Sequence, residues 1–84
     1  MNRLTATLIT RDEGKNLPRA LASLTPADEI VVVDSGSRDR TCEIARQHGA
    51  RVLERAWTDF SDQKNFAAAQ ATYDWILKIG RAHV

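Results

Sequence analysis

With 84 residues and 43% hydrophobic content, the chain holds one domain at most, and a domain this small buries only ~60% of the surface its unfolded form exposes. Twelve basic side chains against eleven acidic ones leave a net charge of +1, with no basic stripe to argue for nucleic acid or an anionic membrane. No apolar run approaches the ~20 residues of a membrane span, MNRLTATLIT lacks the continuous apolar core of a signal peptide, and the single cysteine, Cys42, excludes an internal disulfide and a multi-cysteine metal site.

The elements follow in chain order. Leu4 to Ile9 is rich in β-branched and aliphatic residues and predicts a strand. The polar stretch from Arg11 to Asn16 is a loop. Leu17, Leu21 and Leu24 recur at helical spacing, Pro18 suits a first helical turn, and Thr25-Pro26 closes that helix. Ile30 to Val33 is a continuous apolar run, read as a strand covered on both faces. A second helix is entered through Ser37 or Asp39 as N-cap, with Thr41, Ile44, Ala45 and His48 inward and Gly49 at C′. Arg51 to Leu53 is a short third strand. Trp57 to Phe60 is a loop, and Ser61 or Asp59 caps an Ala-rich third helix running to about Thr72, with Asp62 another candidate cap. Tyr73 to Ile79 is the fourth strand. The order βαβαβαβ predicts an α/β, Rossmann-like parallel sheet. In such sheets ligands bind at the C-terminal strand edges, beside a topological switch point. Thr10 to Glu13, Asp34 to Ser37 and the segment Arg55 to Lys64 are therefore the stretches to watch.

Several of these residues admit two readings. Asp34, closing IVVV and opening DSGSRDR, is either a helix-approach residue or a ligand-binding group at the strand edge. Arg11 and Lys64 are either phosphate contacts or solvated charges. Glu13 is a ligand contact or a loop charge. Trp57 lines a ligand site or covers a sheet edge, and Tyr73 and Trp75 are read as core or cover. Cys42 reads as a small core residue, and His48 as a packed or rim histidine without a metal partner.

Taken together, TLITRDEGKNLPRALASL, DEIVVVDSGSRDRTCEIARQHGARVL and SDQKNFAAAQATYDWIL resemble family 2 glycosyltransferases of the GT-A fold over residues 3–77. The Gln-Lys-Asn-Phe-Ala stretch is similar to that of the bacterial lipopolysaccharide-core β-glucosyltransferase type. The resemblance implies the N-terminal nucleotide-binding half of a GT-A fold with sheet order 3-2-1-4. It implies that Thr10, Arg11 and Glu13 belong to the first-strand nucleotide loop, where Asn is commoner than Asp at the position of Asp12. It implies that Asp34 accepts a hydrogen bond from the uracil ring N–H, that Ser35-Gly36-Ser37 form the turn approached by the nucleoside, and that Lys64 helps hold the nucleotide. Arg38 and Arg40 depart from the family's usual Thr and Gly. The parent activity so implied is inverting transfer of a hexose from a UDP-sugar to a glycan or lipopolysaccharide-core acceptor, in the cytoplasm or peripherally at the inner membrane face.

The end of the chain departs from that pattern. The family's Asp-x-Asp metal motif and its later catalytic base should follow the fourth strand, yet no carboxylate follows Asp74. The expectation is a divalent metal, Mg²⁺ or Mn²⁺, in the full-length parent and none bound by this chain, with no catalytic residue here. Residues 79–84, IGRAHV, are also what a common sequencing adapter encodes in one frame. They are expected to be a non-native tail on a fragment spanning residues 1–78. A non-catalytic nucleotide-binding or interaction module is the alternative. A sugar nucleotidyltransferase lacks support because TRDEGKN offers one glycine where a phosphate loop needs several. A phosphoacceptor receiver module lacks support because Leu53-Glu54-Arg55 offers no aspartate.

Overall fold

The computed structural model describes residues 3–12 and 14–81, with side chains as far as residue 79. Seven elements alternate: β1 (Leu4–Thr10), α1 (Leu17–Ser23), β2 (Glu29–Asp34), α2 (Thr41–Gln47), β3 (Arg51–Glu54), α3 (Phe60–Ala69) and β4 (Trp75–Arg81). The four strands form one parallel sheet in the order β3-β2-β1-β4, the order the resemblance implies. The chain steps outward from β1 to β2 to β3, then returns to the other side of β1, so the topological switch lies between β1 and β4.

The central position of β2 explains its composition. Val31, Val32 and Val33 are all fully buried, and successive residues serve opposite faces. Val32 joins Ala6 and Leu8 of β1 beneath Leu17 and Leu21 of α1 and Ala45 of α2. Val31 and Val33 face Ala67 of α3, with Leu53 and Phe66 alongside. Each of these valines contributes ~1.5–3 kcal/mol of burial, which a strand with a solvated face would forfeit at every second position.

The helix ends differ from expectation in instructive ways. Pro18 lies in the first turn of α1 as predicted. α2 begins at Thr41 behind Arg40, so neither Ser37 nor Asp39 is its N-cap. Asp39 nonetheless accepts hydrogen bonds from the Thr41 N–H and hydroxyl, serving the helix start from one residue further out. At the other end Gly49, at φ +83°, takes the left-handed conformation that closes the helix. Asp59 is the N-cap of α3, accepting from the Asp62 N–H at 2.7 Å. Asp62 is not a cap, because its carboxylate turns to Thr58 and Arg55. α3 stops at Ala69, short of Thr72, because Thr72 is drawn to Glu29 instead.

Two packing expectations are corrected. His48 is exposed, its ring Nδ1 3.0 Å from the Ile44 carbonyl, because it falls at the C-cap where the helix leaves the sheet. Trp75 is 59% exposed rather than core, with Leu77 and Ile79 also exposed, because β4 is an edge strand bonded only to β1. β4 runs from Trp75 to Arg81, starting and ending two residues later than the expected Tyr73 to Ile79. Its register against β1 slips there: Thr7 is opposite Lys78, but Leu8 is opposite Gly80, leaving Ile79 as the extra residue. Residues 82–84 lie outside the described residues.

Candidate functional site

The C-terminal ends of β1 and β2 leave the sheet side by side, with Thr10 paired to Asp34. Their loops are stitched together. The Ser35 N–H donates to the Thr10 carbonyl at 3.0 Å. Asp12, at φ +51°, donates its N–H to Ser37 Oγ at 2.8 Å and accepts from the Arg38 N–H at 2.7 Å. The Gly14 N–H donates to Asp39 at 3.1 Å. Asn and Asp are the side chains that tolerate the left-handed region best, which gives a physical reason for either residue at the place of Asp12.

Asp34 is the centre of this arrangement. It is fully buried. Its Oδ1 accepts from Thr10 Oγ1 at 2.7 Å and from the Ser37 hydroxyl, and its Oδ2 accepts from the N–H groups of Gly36 at 3.0 Å and Ser37 at 2.7 Å. Gly36, at φ +91°, lets the chain double back so that both N–H groups reach the carboxylate. A carboxylate offers about four lone-pair sites, and those of Asp34 are taken by its own chain. Burial opposes its ionisation, but the Ser37, Thr10 and Cys42 hydrogen bonds outweigh that and hold its carboxyl below the usual range. In this structure Asp34 shapes the loop, and the N–H groups of Gly36 and Ser37 turn inward to it rather than outward.

A cavity of about 260 Å³ opens beside this loop, lined by Ile9, Thr10, Arg11, Ser35 and Trp57. It combines one guanidinium, the ends of two buried strands and an indole that is 44% exposed. Thr10, Arg11 and Ser35, singled out from the sequence, therefore share one cavity, and Asp34, Gly36 and Ser37 form the hydrogen-bonded turn around Ser35. Lys64 is held differently. Its ammonium lies 5.3 Å from the centre of the Phe60 ring, and Phe60 packs against Trp57 at 6.5 Å between centroids. Lys64 is not among the residues that line the cavity. Glu13 lies outside the described residues. Sequence reasoning passed over Asp12 and Asp39 as stitches between the two loops. Their signal was the acidic residue just before or after a turn, a position that caps and Asx turns share.

Among the described residues, one group has metal-ligand composition: Asp34, Cys42 and Glu54, whose ligand atoms lie within 4.8 Å of one another. It does not fit Mg²⁺ or Mn²⁺, which take oxygen donors. Burial, together with the neighbouring Asp34 charge, pushes the Cys42 thiol up to about 11, so it stays protonated and donates to Asp34. A cation there would have to displace the donors that Asp34 already holds. Among the described residues no helix is long and apolar enough to cross a membrane.

The comparisons with known proteins agree with this architecture. A protein of Synechococcus elongatus named as TPR repeat-containing is 49% identical over 79 residues, covering 92% of this chain and 20% of that protein. The lipopolysaccharide core biosynthesis glycosyltransferase LpsC of Rhizobium meliloti is 32% identical over 81 residues, covering 90% of this chain and 30% of LpsC. The chain thus spans a fifth to under a third of the length of these relatives. Glucosyl-3-phosphoglycerate synthase of Mycobacterium tuberculosis, solved with Mn²⁺, UDP and glucosyl-3-phosphoglycerate, is similar in structure with a TM-score of 0.70. That likeness covers 94% of this chain and 33% of the synthase at 22% identity, and it carries the fold: a GT-A-type α/β sheet, of which this chain makes the β3-β2-β1-β4 part. Residues 5–79 match the family described as glycosyl transferase family 2, and the chain belongs to that family.

Proposed function

We propose that this chain is the nucleotide-binding part of a transferase that moves a hexose from a UDP-sugar to a glycan or lipopolysaccharide-core acceptor with inversion. The observation that carries the reading is the cavity bounded by Thr10, Arg11, Ser35 and Trp57 at the C-terminal strand edge, where parallel α/β sheets bind ligands. The UDP in the structurally similar synthase and the lipopolysaccharide-core role in the name of LpsC support the donor and the acceptor class. In this reading Arg11 meets the diphosphate through charge-assisted hydrogen bonds, and Lys64, beside the Phe60 ring, is a second cation. Glu13 belongs to the same loop. Asp34, Gly36 and Ser37 act by fixing the loop against which the nucleoside rests. An acceptor hydroxyl, deprotonated by a carboxylate of the parent outside this chain, attacks the anomeric carbon as the nucleoside diphosphate leaves. The reaction takes place in the cytoplasm or peripherally at the inner membrane face.

Titration calorimetry on the 84-residue chain tests this. UDP should bind more tightly than ADP, and Arg11→Ala should weaken UDP about tenfold, the loss of a charged hydrogen-bond partner worth ~1.5–3 kcal/mol partly offset by water. A folded chain that binds no UDP at millimolar ligand overturns the proposal.

A further inference from the structure

We propose that Trp57 is the stacking platform for the nucleobase, and so a specificity-determining residue of the site. The inference rests on the nucleotide-binding reading above and deepens it. Three observations carry it. Trp57 lines the 260 Å³ cavity yet leaves 44% of its surface exposed, so its indole is presented to the cavity rather than spent on the core. Its position is backed by Phe60, whose ring lies 6.5 Å away at 33°, and the Lys64 ammonium lies 5.3 Å from the centre of the Phe60 ring. Phe60 opens α3, where Asp59 caps the first turn, so the indole packs against a fixed helix start. The cavity is also small. Ligand sites for whole drug-sized molecules run from about 300 to 1,000 Å³, so this one accommodates a single planar ring and part of its ribose rather than a complete nucleotide-sugar.

The chemistry favours a base over a hexose. A nucleobase presents a flat π-face that stacks on an indole whatever the hydrogen-bonding pattern of its edge. The opposite side of the cavity supplies the edges of β1 and β2 at Thr10 and Ser35, which can meet polar atoms in the plane of that ring. Arg11 stands at the same cavity, so phosphates attached through the ribose meet a cation without leaving it.

The chain has two tryptophans. A Trp75→Phe background leaves Trp57 as the sole indole, and Trp75 lies on the exposed edge strand away from the cavity lining. UDP and UMP should both quench Trp57 fluorescence in that background. Trp57→Ala should weaken UMP and UDP by about 5- to 100-fold, the span that base–aromatic stacking gives on alanine substitution. Trp57→Phe should retain most of the affinity, and inorganic pyrophosphate should bind both variants as it binds the parent chain. Circular dichroism checks that each variant is folded. If UDP binds the parent chain but Trp57→Ala leaves UMP and UDP affinity unchanged, or weakens pyrophosphate equally, the stacking role is overturned. If Trp57→Ala weakens UDP-glucose but not UMP, the indole serves the hexose, and the proposal falls in favour of that role. If the folded parent chain binds no UDP at all, the nucleotide-binding reading itself fails, an outcome distinct from the others.

Discussion

The two ends of β2 each carry a carboxylate held by several hydrogen bonds, but the bonds have different consequences. At the N-terminal end Glu29 accepts from Thr5 Oγ1 at 2.9 Å, the Thr72 N–H at 2.8 Å, Thr72 Oγ1 at 2.7 Å and Arg51 Nη1 at 3.1 Å. Its partners come from β1, β3 and the turn before β4, so one side chain ties together three segments distant in sequence. At the C-terminal end Asp34 takes three of its bonds from Gly36 and Ser37, its own following loop, and the others from Thr10 and Cys42. Glu29 therefore acts as tertiary glue, whereas Asp34 gives a short loop a fixed shape beside a cavity. The same chemistry stabilises the fold at one end of a strand and pre-organises a site at the other.

Removing Asp34 should have the largest effect. Asp34→Ala leaves the buried Thr10 hydroxyl and the part-buried N–H groups of Gly36 and Ser37 without their acceptor, a loss of about 3 kcal/mol in urea unfolding. This loss should be accompanied by weaker UDP binding, because the loop beside the cavity is released. A variant with that stability loss and unaltered UDP affinity would separate loop shape from ligand binding and break the assignment made here.

Acid titration examines the other end. Burial raises the cost of ionising Glu29, but hydrogen bonds from Thr72, Thr5 and Arg51 prevail and bring its carboxyl down from 4.5 to about 2. A depressed folded-state value means that the stabilisation is fully present above the unfolded value near 4.5 and is lost as pH falls toward about 2. The contribution is about 2 kcal/mol once solvent access to Arg51 is allowed for. Glu29→Gln should remove this contribution and flatten the pH dependence of urea unfolding between those limits. An unchanged slope in the Glu29→Gln variant would move the acid sensitivity elsewhere, to the Asp34 end.

How far the sequence discloses each end follows from the range of the interactions. The sheet was legible because a strand buried on both faces must be apolar at every position, as Ile30 to Val33 are, and because α/β alternation constrains topology. Asp34 was legible as a special residue because its partners are two and three positions away. Its job was not, since a capping carboxylate and a ligand-binding carboxylate look the same in a string of letters. Glu29 was invisible for the opposite reason: Thr72 is 43 residues away, and nothing local marks the pair. The same holds for the third helix, whose end at Ala69 rather than Thr72 is set by that distant contact. Trp75 was misread because an edge strand and an interior strand share one alphabet, and only the sheet order tells them apart.

The smallest effect concerns the link between the C-terminal end of the sheet and α3. The Arg55 N–H donates to the Asp34 carbonyl at 2.8 Å, and its guanidinium reaches Gln63 Oε1 at 2.8 Å and Asp62 at 3.0 Å while lying 4.6 Å from the Phe66 ring centre. Gln63, fully buried, returns a hydrogen bond to the Arg55 carbonyl at 3.1 Å. Arg55→Met keeps an apolar stem over Phe66 and the backbone bond to Asp34, but leaves Gln63 Oε1 without its donor. The cost should be about 1 kcal/mol in urea unfolding, at the lower end of the range for an unsatisfied buried acceptor because Thr58 still holds Asp62. Since α3 also carries Phe60 behind Trp57, the variant should lower UDP affinity only two- to threefold, on the order of 0.5 kcal/mol. A fall as large as that of Asp34→Ala would mean that the loop is held from α3 rather than by its own carboxylate, and the contrast between the two ends of β2 would have to be redrawn as one between local and helix-mediated support.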